Sequence, residues 1–261
     1  MLQVRNERGT LVYSKIKSKE ASEKIVYNTL TVPVRERFQL VLADGTKVFL
    51  NSGSEMRYPE RFGKARREVF LKGEAWFEVA KDSAREFWVH AGAMDVKVLG
   101  TSFNVKAYER LETVATTLVE GSVEVACAGK SFQIVPGEQF VYDKNNRVMD
   151  VRMVDTESYV SWKDGYYKFR QTTLEEIMET LSVWYGLNVF YVNESAKQVE
   201  FTGKVRRYED ARMLLDKFEQ TGDVVFDIKG NNVFITIKQK KPFAREWNSF
   251  LVKARGMVWQ S

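Results

Sequence analysis

The chain of 261 residues holds one cysteine and one histidine. Disulfide frameworks need pairs, and zinc sites built from Cys and His need several such ligands, so both are excluded and no metal is expected. A single thiol has no partner to oxidise with, so cysteine usage fits a cytosolic or a periplasmic location equally. With 4 prolines there are few natural linkers, and any boundary has to be read from pattern. No apolar run approaches the ~18 residues of a membrane span, and Met1 to Thr10 lacks the apolar core of a signal peptide. Charge of one sign is also missing. The 40 Lys and Arg are interspersed with 35 Asp and Glu, so the net charge of +5 reads as a mixed solvated surface, and no nucleic-acid partner is expected.

What is present is ample apolar content, 44% of residues, in two successive textures. Residues 1–26 are rich in Lys, Glu, Ser and Arg and read as a lead-in arm with at most one strand, its apolar patch being Leu11, Val12, Tyr13 and Ile16. From Tyr27 the pattern alternates. Phe38, Leu40 and Leu42 precede Asp44-Gly45, and Val48 and Leu50 follow, which predicts a hairpin with a tight type I′ turn. The period of two recurs in Val69, Leu71, Gly73, Ala75, Phe77 and Val79, then in Val96 and Val98, then in Val123, Val125 and Cys127. No helical spacing appears before about residue 172, so residues 27–155 are expected to form an all-β, two-layer, sandwich-like domain.

The second texture is helical and extended in alternation. Thr172 and Thr173 stand three residues ahead of Glu175 and Glu176, the capping-box spacing, and Leu174, Ile177, Met178 and Leu181 follow on one stripe until Gly186. Strands are expected at Asn188 to Val192, Val199 to Val205, Val224 to Ile228 and Val233 to Ile237, with a second helix carrying Ala211, Leu214, Leu215 and Phe218 and stopping at Gly222. The two stripes superimpose at a shift of 37 residues, a weak duplication. Two strand-helix-strand halves sharing one sheet predict a compact α+β domain of βαβ-βαβ order over residues 156–240. Beyond Pro242, Phe243, Trp247, Phe250 and Leu251 make an amphipathic stripe in a 241–261 tail.

Candidate chemistry is sparse. Cys127 shares a strand face with Val123 and Val125 and reads as a core thiol, and His90 would have to serve any general-base role by itself. Glu74 and Glu78 share a strand face, but four residues of strand separate them by about 13 Å, wider than the roughly 5 to 9.5 Å of a glycosidase pair. Alternating glutamates are also what a solvated outer face looks like. Gly100 lies in no phosphate-cradling loop. Arg206-Arg207 and Lys238 to Lys241 read as solvated runs. No catalytic, cofactor-binding or metal-binding residue is assigned. The densest aromatic cluster, Tyr166, Tyr167, Trp184 and Tyr185, leaves a carbohydrate-binding module as the alternative, although core packing explains it too.

Four blocks in order carry a family resemblance: Leu71 to Asp82 (LKGEAWFEVAKD), Val98 to Val105 (VLGTSFNV), Leu118 to Val125 (LVEGSVEV) and Pro136 to Gln139 (PGEQ). They resemble the periplasmic domain of FecR-type anti-sigma regulators. The half from Trp162 and Gly165 onward is similar to the small domain that follows it in the Bacteroidetes branch, akin to the short N-terminal domain of secretins and TonB-dependent transporters. The resemblance implies the periplasmic sensing portion of an inner-membrane regulator. Its partners would be the N-terminal signalling domain of a TonB-dependent transporter and, through a cytoplasmic domain missing from this chain, an ECF sigma factor. It implies no cofactor and no direct small-molecule ligand. The chain then reads as a recombinant periplasmic fragment opened by Met1, the favoured reading because nothing before Tyr27 is apolar enough to span, or as a natural soluble remnant. Strand edges in the second domain could accept a partner strand, and Val233, Phe234, Ile235, Thr236 and Ile237 are the candidate docking strand.

Overall fold

The computed structural model describes residues 2–7, 10–15, 25–207, 210–221 and 223–238. Along the chain come β1 (Leu2–Glu7), β2 (Thr10–Lys15), β3 (Tyr27–Thr31), β4 (Phe38–Val41), β5 (Lys47–Leu50), β6 (Glu55–Pro59) and the long β7 (Arg67–Glu78). Next are β8 (Phe87–Ala91), β9 (Met94–Val98), β10 (Ser102–Ala107), β11 (Thr113–Glu120), β12 (Val123–Cys127), β13 (Lys130–Ile134), β14 (Glu138–Asp143) and β15 (Val148–Met153). The smaller C-terminal part holds α1 (Thr156–Val160), β16 (Tyr166–Thr173), α2 (Leu174–Tyr185), β17 (Asn188–Tyr191), β18 (Glu200–Arg206), α3 (Ala211–Thr221), β19 (Val224–Lys229) and β20 (Asn232–Ile237).

The first domain is built on β7, which serves two sheets. Up to Lys72 it pairs with β6 and β8, and from Gly73 onward with β10 and β5. Gly73 permits the change of sheet: its φ is +109°, and a Cβ there would lie 2.4 Å from Ser54 Oγ and 2.7 Å from Ser54 Cα. The larger sheet runs β1-β2-β4-β5-β7-β10-β11-β14-β15. The other links β3, β6, β7, β8, β9, β12 and β13. Their apolar faces meet in one core, where the Phe77 ring lies 5.2 Å from Phe103 of the larger sheet and 6.1 Å from Phe87 of the other. Alternation forms these strands because every second residue, such as Val48, Leu50, Ala75 and Phe77, is withdrawn from water.

Two local expectations change here. The arm carries two strands, not at most one: β1 and β2 pair with each other, and β2 adds in parallel to β4. The hairpin after β4 is not type I′, because only Gly45 has positive φ. The Gly45 amide donates to the Leu42 carbonyl at 2.9 Å and the Leu42 amide to the Thr46 carbonyl at 2.8 Å, the longer turn closed by a left-handed glycine.

In the second domain the capping chemistry acts as expected: the Thr173 hydroxyl accepts from the Glu176 amide at 3.3 Å, and Gly186 ends α2 with φ +69°. Leu174, Ile177, Met178 and Leu181 of α2 and Leu214, Leu215 and Phe218 of α3 are buried in one second core. The single shared sheet is not observed. β16 pairs with β18, and separately β17, β20 and β19 form a three-stranded sheet. β20 is its middle strand, parallel to β17 and antiparallel to β19, so the expectation of a free edge at Val233 to Ile237 is overturned: both its edges are already hydrogen-bonded. Gly222 and the 241–261 tail lie outside the described residues.

Candidate functional site at the domain junction

The larger sheet is covered on both faces at β7 and β10, and its second face there positions the site. Even-numbered residues of β7 and β10 point away from the first core, yet Glu74, Trp76 and Asn104 are buried because the second domain covers them. The solvated face expected for Glu74 is thus corrected. Trp76 packs into the second core, joined by the partly buried Phe49 and Val119 of β5 and β11.

A chain of hydrogen bonds crosses this junction. Both carboxylate oxygens of Glu74 accept from amide side chains, Oε2 from Asn51 Nδ2 at 2.6 Å and Oε1 from Asn104 Nδ2 at 2.9 Å. Each amide uses its other end to reach the second domain. Asn104 Oδ1 accepts from Trp162 Nε1 at 3.1 Å, and Asn51 Oδ1 accepts from Arg207 Nη2. Arg207 Nη1 donates to the Trp162 carbonyl at 2.8 Å, and its guanidinium lies 3.5 Å from the centroid of the Trp184 ring. Such a set is favourable because every member brought out of water regains a partner. Ser52 Oγ adds bonds to the Val183 and Trp184 carbonyls at 3.3 and 3.4 Å, and Arg37 donates to the Lys163 carbonyl. Burial pushes the Tyr108 phenol, which donates to the Ser52 carbonyl, well above its ordinary range.

Beside this network lies a cavity of about 190 Å³ between the larger sheet and α1, β16 and α2. Its walls carry ion pairs from opposite domains, Lys106 to Glu179 and Arg152 to Glu176, each at 3.7 Å. Burial raises the Glu179 carboxyl above its ordinary value, against the pull of Lys106.

The residues considered from sequence are scattered. Glu78 sits apart from Glu74, accepting from Trp76 Nε1 at 3.2 Å and facing Lys47 at 3.6 Å. His90 is stacked on Phe70 at 4.9 Å with its Nδ1 2.7 Å from Asp95, and Cys127 is buried with its thiol pushed up by that burial. Neither lies near Glu74 in the network. Tyr167, Trp184 and Tyr185 are buried in the second core, so they offer no open platform for a sugar. Val233 and Ile235 are also in that core, while Phe234 and Ile237 are half-buried and Thr236 is exposed. Arg207 corrects the solvated reading of Arg206-Arg207, since it is 0% exposed. Sequence reasoning missed Arg207, Asn51, Asn104 and Trp162 as a unit. Glu74 and Asn104 did lie inside the quoted family blocks, and Trp162 opens the half that resembles the family's small domain, which were the available signals. Among the described residues no group of His, Cys, Asp and Glu could hold a metal, and no helix is long and apolar enough to cross a membrane.

Fold and junction together define a β-rich protein of two domains fixed to one another by buried polar contacts. The chain belongs to the FecR family of anti-sigma regulators: residues 28–124 match the FecR protein family and residues 166–235 match the family described as FecR, C-terminal. Two crystal structures of a "putative anti-sigma factor" from Parabacteroides distasonis, at 1.65 and 2.50 Å, share this fold. The first superimposes with TM-score 0.74 at 27% identity over 81% of this chain and 100% of that one. The second gives TM-score 0.73 at 27% identity over 82% and 100%. No curated protein matches the chain. Membership in the family implies interaction with a sigma factor and a receptor partner.

Proposed function

We propose that this chain is the periplasmic sensing portion of an inner-membrane anti-sigma regulator. It binds the N-terminal signalling domain of a TonB-dependent transporter and relays nutrient import to an ECF sigma factor. The observation that carries the reading is the junction: two FecR modules are joined through Glu74, Asn51, Asn104, Trp162 and Arg207, so a load applied to one domain is passed to the other instead of being lost in a flexible linker. Docking falls on the second domain, on the outer face of the β17-β20-β19 sheet and not on a β20 edge. There Phe190 and Phe234 stack at 5.1 Å, Phe190 being 47% exposed, with Thr236 on the same strand face as Phe234.

The test is a pull-down and titration of the chain with a purified transporter signalling domain, alongside a panel of soluble oligosaccharides. A stoichiometric complex, weakened at least ~10-fold by the double change Phe190→Asp and Phe234→Asp, is expected. Glycan binding without protein binding would replace this reading by the carbohydrate module.

A further inference from the structure

We propose that the cavity between the larger sheet and α2 binds a short peptide of about two or three residues with both termini free. This departs from the sequence-based expectation of no small ligand, and it does not rest on the signalling reading.

The floor of the cavity is a strip of the larger sheet with a cation at each side. Lys106 of β10 stands opposite Ala115 of β11, β11 pairs with β14, and Gln139 of β14 stands opposite Arg152 of β15. Three strand spacings and an offset of two residues along the strands separate the two cations, about 16 Å between backbones. The roof is α2, which places Glu179 3.7 Å from Lys106 and Glu176 3.7 Å from Arg152. At that separation the pairs are loose, and although Arg152 Nη2 also donates to Gln139 Oε1 at 3.4 Å, both cations have further N–H donors and both carboxylates further lone pairs for a charged group placed between them.

Several other polar groups lining the cavity are already engaged. Glu74 is held by two asparagines, Gln139 Nε2 donates to Thr117 at 2.8 Å, Thr180 donates to the Glu176 carbonyl at 3.1 Å, and Lys168 pairs with Asp155 at 3.2 Å and with Glu157. What remains available is two cations, two carboxylates and the buried hydroxyls of Ser158 and Tyr167, which hold no hydrogen bond. Their sum is neutral, which penalises a ligand of net charge and favours one that carries both signs. The Glu179 side chain is partly withdrawn from water, 31% exposed and with its carboxyl raised by burial, and a ligand ammonium would compensate it. Tyr159, Trp162 and Phe169 form an apolar wall on which a peptide side chain can lie. A ligand here touches both domains, so it would couple directly to their packing.

Titration calorimetry and thermal melting of the full chain with the dipeptide Ala-Phe test the assignment. The free dipeptide should bind at one site and raise the melting temperature, and its N-acetylated, C-amidated form should bind at least ~10-fold more weakly. Lys106→Met and Arg152→Met should each weaken the free dipeptide at least ~10-fold, with Lys97→Met, on the other sheet, binding as the parent does. Should a cavity variant fail to fold, the free against blocked comparison on the parent chain still decides. No binding at millimolar dipeptide, equal binding of both forms, folded cavity variants that bind as the parent does, or preferential binding of maltotriose would each overturn the proposal.

Discussion

Two fully buried arginines mark the two regions that give this molecule its shape, and they are solvated by the protein in different ways. Arg67, at the start of β7, pairs with the Asp44 carboxylate at 2.8 Å and donates to the carbonyls of Ala80, at 2.8 Å, and Arg85, at 2.9 Å from Nη2. These partners all lie within the first domain and tie the β4-β5 hairpin to the end of β7. Arg207 lies in the second domain and reaches across to Asn51 of the first, with Trp184 beneath its plane. Its link to the Glu74 carboxylate runs through an amide. A direct ion pair fixes one domain internally. An amide-bridged, aromatic-backed guanidinium fixes two domains to each other, with directional bonds that specify how they meet. The comparison predicts that losing the first arginine damages a fold and losing the second damages an arrangement.

The largest effect should come from Arg67→Met, which leaves the Asp44 side chain, 6% exposed, without its counter-ion. A loss of about 3–5 kcal/mol is expected. Chemical denaturation followed on the first domain checks it, and a loss below about 1 kcal/mol would break the contrast. Arg207→Met should cost about 1–3 kcal/mol and act on the junction. Hydrogen exchange should show the protection of β16 to α2 reduced and that of β8, β9 and β12 unchanged, and a double-mutant cycle with Asn51→Ala should give a coupling of about 1 kcal/mol. Equal loss of protection in both domains would erase the distinction.

The smallest effect concerns the rim of the same junction. Burial raises the Glu179 carboxyl above its ordinary 4.5, so between that value and its raised folded value the native state binds more proton than the unfolded chain. Its contribution to stability therefore falls as pH rises through that window and is fully unfavourable above it. Glu179→Gln should be neutral or slightly stabilising at neutral pH, by less than about 1 kcal/mol, and should flatten the pH dependence above 4.5. Marked destabilisation at neutral pH would show that the Lys106 pair outweighs the burial cost.

Much of this architecture was legible because local chemistry speaks in short ranges. Alternation through Val69, Leu71, Ala75 and Phe77 marked β7, the Thr173 cap and Gly186 bounded α2, and the blocks from Leu71 to Gln139 carried the family. The hairpin turn type was misjudged since Asp44-Gly45 is compatible with more than one turn, and hydrogen bonding to Leu42 and Thr46 selects between them. The arm was underestimated because its strands exist through pairing, β1 with β2 and β2 with β4, which spacing along the chain does not show.

The sequence by itself determined the element types, the two textures and the apolar stripes, because these follow from spacing along one strand or one helix turn. Only the tertiary structure decided which strands are edges, that the second face of the larger sheet is covered at β7 and β10, and that Glu74, Asn51, Asn104, Trp162 and Arg207 converge. Those residues are separated by up to 156 positions along the chain, between Asn51 and Arg207. No periodicity records such a meeting: an arginine beside another arginine reads as a solvated pair until the fold supplies an amide, a carbonyl and an indole face that replace its water.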